Sequence, residues 1–332
     1  MTKRLSRRRS LQTLGAFCAA PAILPAYGRA QSGLPDKALR ILVGFSAGGG
    51  AELMARIIAP QLERRLGRRV SVENKQNDTG AAAGEFLKKS LSEGSVVAFL
   101  PSTTLASKLA GTPFPFDSKS NLVPLTAAGS FQVATAVSAK IGVSTFAEYV
   151  AWLKAGPPER ARLGTSATDA YLKIYGMMIG RELGVSLETI PHRGAAPLVT
   201  ALKTGALPAG LGSVTALLQH SLGVRVRILA TSGSKRVSVL RNVPTAVELG
   251  YPGLELNEWY GFFASSDSPE PILAAWNRQL RAVLAEGEVI AALARLGLDV
   301  DTSTREAAAA RLVLHQQAWR ARMESFGMKP SD

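Results

Sequence analysis

The sequence predicts an α/β protein of two domains whose strands lie in mostly parallel sheets flanked by helices. Three observations carry this reading. The chain has 332 residues, 46% of them hydrophobic and 19% charged, enough to fill more than one core. Near its start, a continuous apolar run is followed by a glycine loop and then by apolar residues at helical spacing. That order of strand then helix recurs along the chain, and such alternation favours parallel pairing.

The first unit sets the pattern. Ala38–Ser46 is a mostly apolar run that suits a buried parallel strand better than an alternating one. After Gly48-Gly49-Gly50, apolar residues recur at Leu53, Met54, Ile57, Ile58, Leu62 and Leu66, and Gly67 stands where a glycine C-cap would. Arg69–Glu73 reads as a second strand, 81–90 as a helix and 95–100 as a strand. Later helices are expected near 146–153, 171–183, 195–204 and 246–249, and strands of a second sheet near 132–137, 209–211 and 226–230. The tail reads as helical over 271–285 and 305–326. No long linker separates the lobes, so paired crossings are expected to join them.

The first thirty residues read differently. Ser6-Arg7-Arg8-Arg9-Ser10-Leu11-Gln12 precedes an apolar run to Ala26 that is broken by Pro21 and Pro25, with small residues at Gly28 and Ala30. This is the pattern of an export signal cut after Ala30, too short for a membrane span. The paired arginine resembles a twin-arginine signal, although a general secretory signal needs only positive charge. Without the six cations Lys3, Arg4, Arg7, Arg8, Arg9 and Arg29, the formal charge falls from +14 to +8. The remaining basic residues are mixed with acids and not interleaved with aromatics, so a basic surface tolerant of anions fits better than nucleic-acid binding.

Cys18, the single cysteine, lies in the signal segment, so the mature chain carries no thiol. Disulfides and cysteine nucleophiles are excluded, and three scattered histidines (His192, His220, His315) argue against zinc. No Gly-x-Ser-x-Gly elbow occurs, and His192 and His220 read as structural or surface residues. No metal or cofactor is therefore expected, and no catalysis.

The sharpest local feature is Phe45-Ser46-Ala47-Gly48-Gly49-Gly50 between strand and helix. Unpaired N–H groups and partial positive charge at a helix start, with glycines allowing close approach, make an anion cradle. The alternative is part of a dinucleotide fingerprint, Gly48-x-Gly50 with Glu73 ending the next strand, in an exported oxidoreductase. Its third glycine, however, is replaced by Leu53. Polar clusters at Ser102-Thr103-Thr104, Gly164-Thr165-Ser166-Ala167-Thr168-Asp169 and Gly212-Ser213 each follow a predicted strand, as a cleft of hydroxyls and amides requires.

Many segments, in order, resemble the Bug-type periplasmic receptors of tripartite tricarboxylate transporters. They include Gly48-Gly49-x-x-Glu52-x-x-Ala55-Arg56, Val72-Glu73-Asn74, Pro191-His192-Arg193-Gly194-Ala195-Ala196-Pro197, Asn242-Val243-Pro244-Thr245-Ala246 and Glu258-Trp259-Tyr260-Gly261-Phe262-Phe263-Ala264. The resemblance implies a two-lobed type II periplasmic-binding-protein fold that closes on its ligand. Lobe one would hold 35–128 and 256–332, and lobe two 129–255. It implies that backbone amides clamp a ligand carboxylate, at Ser46, Ala47, Gly48 and Gly49 in the first lobe and at Thr165, Ser166, Ala167 and Thr168 in the second. Glu52, Ser102, Thr103, Asp169, Arg193, Ser213 and Tyr260 complete the expected site. Glu52 stands where the family has aspartate, the second loop is about two residues short and ends in Tyr171-Leu172, and His192 replaces a tyrosine. Asp169 reads either as the cap of the following helix or as the partner of a cationic group, the latter making the ligand an amino acid or other zwitterion. The expected protein is a periplasmic monomer that binds a small organic anion or amino acid for a membrane subunit of such a transporter or for a sensor kinase.

Overall fold

In the computed structural model the described residues are 32–45, 48–75, 81–89, 93–107, 109, 122–167, 170–221 and 225–330. The predicted export signal lies outside them, as do Ser46, Ala47, Thr168 and Asp169. In chain order the elements are β1 (Leu39–Val43), α1 (Gly50–Leu66), β2 (Val70–Asn74), α2 (Ala81–Lys89), β3 (Val96–Pro101), α3 (Ser102–Ser107), β4 (Leu122–Phe131) and β5 (Val133–Ser138). Then follow α4 (Phe146–Lys154), β6 (Arg162–Thr165), α5 (Ala170–Leu183), β7 (Glu188–Pro191), α6 (Ala195–Thr204), β8 (Ala209–Ser213), α7 (Val214–Ser221) and β9 (Val226–Thr231). The last four are β10 (Glu258–Ser265), α8 (Glu270–Leu284), α9 (Gly287–Ala294) and α10 (Arg305–Glu324).

Local chemistry sets many of these boundaries. Helix α1 buries Met54, Ala55, Ile58, Ala59 and Leu62 along one stripe and stops at Gly67, whose φ of 63° closes a left-handed cap. A reciprocal capping box between Thr145 and Glu148 starts α4, and the Thr145 hydroxyl accepts from the Glu148 amide. The expected helix over 246–249 is instead one isolated turn. Thr245 and Glu248 make the hydrogen bonds of a capping box, but Gly250 at φ 88° reverses the chain before a second turn can form.

The strands form two five-stranded sheets, ordered β2-β1-β3-β10-β4 and β7-β6-β8-β5-β9. Both are mixed and not mostly parallel: β2, β1 and β3 pair in parallel, as do β7, β6 and β8. β10 runs against both β3 and β4, and β5 against both β8 and β9. The antiparallel strands belong to the segments that carry the chain between sheets, and entering a sheet from the other lobe reverses their direction.

Two crossings join the lobes. At the first, Gln132 alone separates β4 from β5. Its side chain accepts from the Gly233 amide at 3.0 Å and donates to Lys235 O at 2.8 Å, while the Ser232 hydroxyl accepts from the Val133 amide and donates to Leu256 O. Outgoing and returning chains are thus laced together. Helix α10 bridges the same region, because Leu312 packs with Trp259 and Phe263 of the first sheet while Trp319 and Met323 pack with Tyr171 and Tyr175 of the second lobe.

Candidate functional site

In an open α/β sheet, the crevice for a ligand lies at the carboxyl ends of the strands where their order switches sides. In the first sheet β1 precedes β2 on one side and β3 on the other; in the second, β6 stands in the same way between β7 and β8. Residues just beyond all four central strand ends line one cavity of about 340 Å³: Phe45, Gly48 and Gly49 after β1, Thr103 after β3, Ser166 and Ala167 after β6, and Ser213 at the end of β8. The two switch points face the same space.

Helix starts surround that space. Helix α1 has Gly49 as its N-cap and no side-chain cap, so its first amides have no intrahelical acceptor. Helix α6 begins behind Gly194, also without a side-chain cap, and Gly194, Ala195 and Ala196 line the cavity. Arg193 is exposed, and is the one permanently charged residue among the described lining residues. The electrostatics favour an anion.

The predicted residues separate into three groups. Gly48, Gly49, Thr103, Ser166, Ala167, Arg193, Ser213 and Tyr260 line the cavity. Glu52, Ser102 and Thr165 stand behind it. The carboxylate of Glu52 accepts from the Gly48 amide at 3.2 Å and pairs with Arg56, so this amide is engaged within the loop. The Thr165 hydroxyl donates to Ala167 O at 2.8 Å, and Ser102 is fully buried. Among the lining residues, the Ser166 amide donates to Leu211 O and the Ser213 hydroxyl accepts from the Ala216 amide. Ser46, Ala47, Thr168 and Asp169 lie outside the described residues.

Tyr260 is the central polar group. Its ring stacks on Phe131 with centroids 4.5 Å apart and on Phe99 at 5.6 Å. Its hydroxyl has no hydrogen-bond partner among the described residues. Burial, with a smaller contribution from the charge of Glu258, pushes its pKa far above the ordinary value, so it remains a donor. A Cβ at Gly50 would lie 2.6 Å from that hydroxyl and 3.6 Å from Thr215 Cβ, so the missing side chain lets the first turn of α1 approach both Tyr260 and the second lobe.

Some lining residues were missed. Gly50, Phe131, Tyr171, Leu172 and His220 also face the cavity. His220, expected to be structural or on the surface, sits four residues after Ala216, a helical spacing that puts the two on one face of α7, which follows directly on Ser213 at the end of β8. That spacing was the available signal. Phe131 gave none, since its role depends on where β4 hands over to β5.

The family described as the tripartite tricarboxylate transporter family receptor matches residues 54–324. The chain belongs to that family. Protein BugT of Bordetella pertussis (strain Tohama I) is 26% identical over 327 residues, covering 98% of this chain and 99% of its own. Two solved structures share the fold. The periplasmic binding protein BugD is 23% identical, with a TM-score of 0.77 over 89% of this chain and 99% of that one. Rpa4515 of R. palustris with adipate is 20% identical, with a TM-score of 0.80 over 90% and 99%. The protein is accordingly a receptor of that transporter family and not an enzyme. The dinucleotide alternative gains nothing from the comparisons, and Glu73, the acid it needed, is held by Arg40 at 2.6 and 2.8 Å and by Lys75. The Arg40 hydrogen bond, more than the other contacts, draws the pKa of Glu73 down to about 2.

Behind the cavity, the receptor buries a second polar cluster. Glu258 accepts from the Ser102 hydroxyl at 2.5 Å and from the Trp319 indole at 3.2 Å, while Ser102 Oγ accepts from the Trp259 amide. His315 Nε2 lies 3.4 Å from Glu258 and makes no hydrogen bond. Burial holds the imidazole pKa below its ordinary 6.5; Glu258 opposes this, and Arg322 and Arg311 reinforce it. Below pH 6.5 the unfolded chain therefore takes up a proton that the folded chain resists, and stability falls as pH is lowered through that window. Melting curves at stepped pH should show this loss, and His315→Asn should remove that part of it. An unchanged slope in the variant would assign the loss to other groups.

Proposed function

We propose that the receptor captures a small organic carboxylate in the crevice between its two sheets and delivers it to the membrane subunit of a tripartite tricarboxylate transporter. The observation that carries this reading is the shared cavity at both switch points, with uncapped helix starts and Arg193 on its rim. Support also comes from the family's description and from a structural relative solved with adipate. In this reading the chain works as a monomer of two lobes, 35–128 with 256–332 and 129–255, after residues 1–30 have directed its export through the twin-arginine route. Loops 46–49 and 165–168 close on the carboxylate, with Thr103, Ser213 and Tyr260 beside them and Arg193 steering the anion inward.

Ligand binding to the folded state alone stabilises it, by about 2.7 kcal/mol at a concentration 100-fold above Kd. Thermal-shift measurement on the chain from residue 31 onward should therefore find carboxylates that raise its Tm by several degrees. Tyr260→Phe keeps the ring stacking but deletes the donor, and should weaken those ligands about tenfold, as expected for one charge-assisted hydrogen bond. If carboxylates leave Tm unmoved while neutral solutes raise it, the reading is wrong.

A further inference from the structure

The start of α7 carries an unused hydroxyl at the seam between the bodies of the two sheets. Thr215 is fully buried, and its Oγ1 makes no hydrogen bond with any of the described residues. It cannot bond backwards along its helix as the hydroxyls of Thr200 and Thr204 do in α6, because it is only the second residue of α7. Two glycines form the other side of the seam. A Cβ at Gly50, the first residue of α1, would lie 3.6 Å from Thr215 Cβ, and one at Gly297 would lie 2.9 Å from Val214 Cγ1 and 3.2 Å from Val237 Cγ1. Ala51 and Leu298, beside these glycines, pack in the core of the first sheet, whereas Val214 and Val237 pack in that of the second. Ser213 and Ala216, on either side of Thr215, line the ligand cavity. The Val214 amide donates to Gln132 O, at the first crossing between the sheets. The hydroxyl is therefore stranded where the two bodies meet, behind the cavity wall and next to the crossing.

A hydroxyl buried without a partner disfavours the arrangement that buries it, and a separation of one water's width restores its hydrogen bonds. We infer that Thr215 sets the affinity of the receptor by opposing closure, an inference that rests on the reading just given, in which the two bodies close on a ligand. The stranded hydroxyl biases the empty protein towards the open form, and the ligand works against that bias when the seam shuts. Apparent affinity falls in proportion to the fraction of empty receptor that is closed. Deleting the hydroxyl therefore tightens the binding of every ligand alike, although Thr215 is not among the described residues that line the cavity.

Thr215→Val keeps the branched shape and removes the hydroxyl, whereas Thr215→Ser keeps the hydroxyl. Isothermal calorimetry with adipate, malate and benzoate, together with small-angle X-ray scattering on the empty protein, tests the inference. Thr215→Val should bind whichever of these acids the unmodified protein binds about fivefold or more tightly, the bias that one stranded hydroxyl imposes. Its empty form should also have a smaller radius of gyration, and Thr215→Ser should match the unmodified protein in both respects. A higher Tm with affinity and radius unchanged would overturn the inference, because the hydroxyl would then be stranded equally in the open and closed forms. Weaker binding by Thr215→Val would also overturn it, because the hydroxyl would then be bonded in the liganded state. If none of the three acids binds any of the proteins, the receptor reading loses support, and the scattering by itself decides the role of Thr215.

Discussion

Gly50→Val should all but abolish ligand binding while leaving a folded receptor. A Cβ at this position would meet the Tyr260 hydroxyl at 2.6 Å and its Cζ at 3.4 Å. The clash does not relax cheaply, because the ring is stacked between Phe131 and Phe99 and cannot swing aside. Either α1 retreats or the ring tilts, and both take the hydroxyl away from the helix start. The structural cost is that of overpacking, about 1–3 kcal/mol. Loss of a charge-assisted hydrogen bond and of the helix-start geometry should weaken a carboxylate by about two orders of magnitude. Gly287→Ala is the control, because nothing lies within 4 Å of a Cβ there. Calorimetry on both variants, with circular dichroism for the fold, decides the matter; full affinity in Gly50→Val would place the anion elsewhere.

The largest loss of stability should come from Glu258→Ala. Its carboxylate accepts from Ser102 and Trp319, and all three residues are buried. Removing it strands a hydroxyl and an indole N–H, each costing about 1–3 kcal/mol, and opens a cavity. A loss of about 3–5 kcal/mol is expected from breaking such a buried network, measured as a shift of the urea midpoint. Glu258→Gln keeps an acceptor and should lose markedly less. Equal losses in the two variants would mean that packing, and not hydrogen bonding, holds the cluster.

Much of this architecture was legible in the residues, and the reasons for the remainder are physical. The 3.6-residue spacing of Met54, Ile58 and Leu62 with Gly67 beyond it wrote α1 plainly, and the glycine loop before it marked one wall of the crevice. β10 was not expected at all, because every residue from Glu258 to Ser265 is buried, and a strand covered on both faces has no period to betray it or its neighbours. Its partners, β3 and β4, lie far away in sequence. Glu52 shows a different limit. The sequence placed an acid in the first turn of α1 and suggested contact with ligand, whereas its side chain turns back to the Gly48 amide, a choice of rotamer that no spacing records. His220 was within reach of the periodicity argument and was passed over because an isolated histidine seldom marks a site.

The position of β10 also bears on when the protein can fold. It fills the gap between β3 and β4, yet the ribosome makes it only after the whole second sheet has been synthesised. Until then the emerging first lobe exposes two facing strand edges with no strand to join them, a liability for any growing chain. Such late, long-range pairing is slow. Folding of the first lobe is thereby deferred to the end of translation, a delay in which chaperones meet a chain that has not yet committed to its shape.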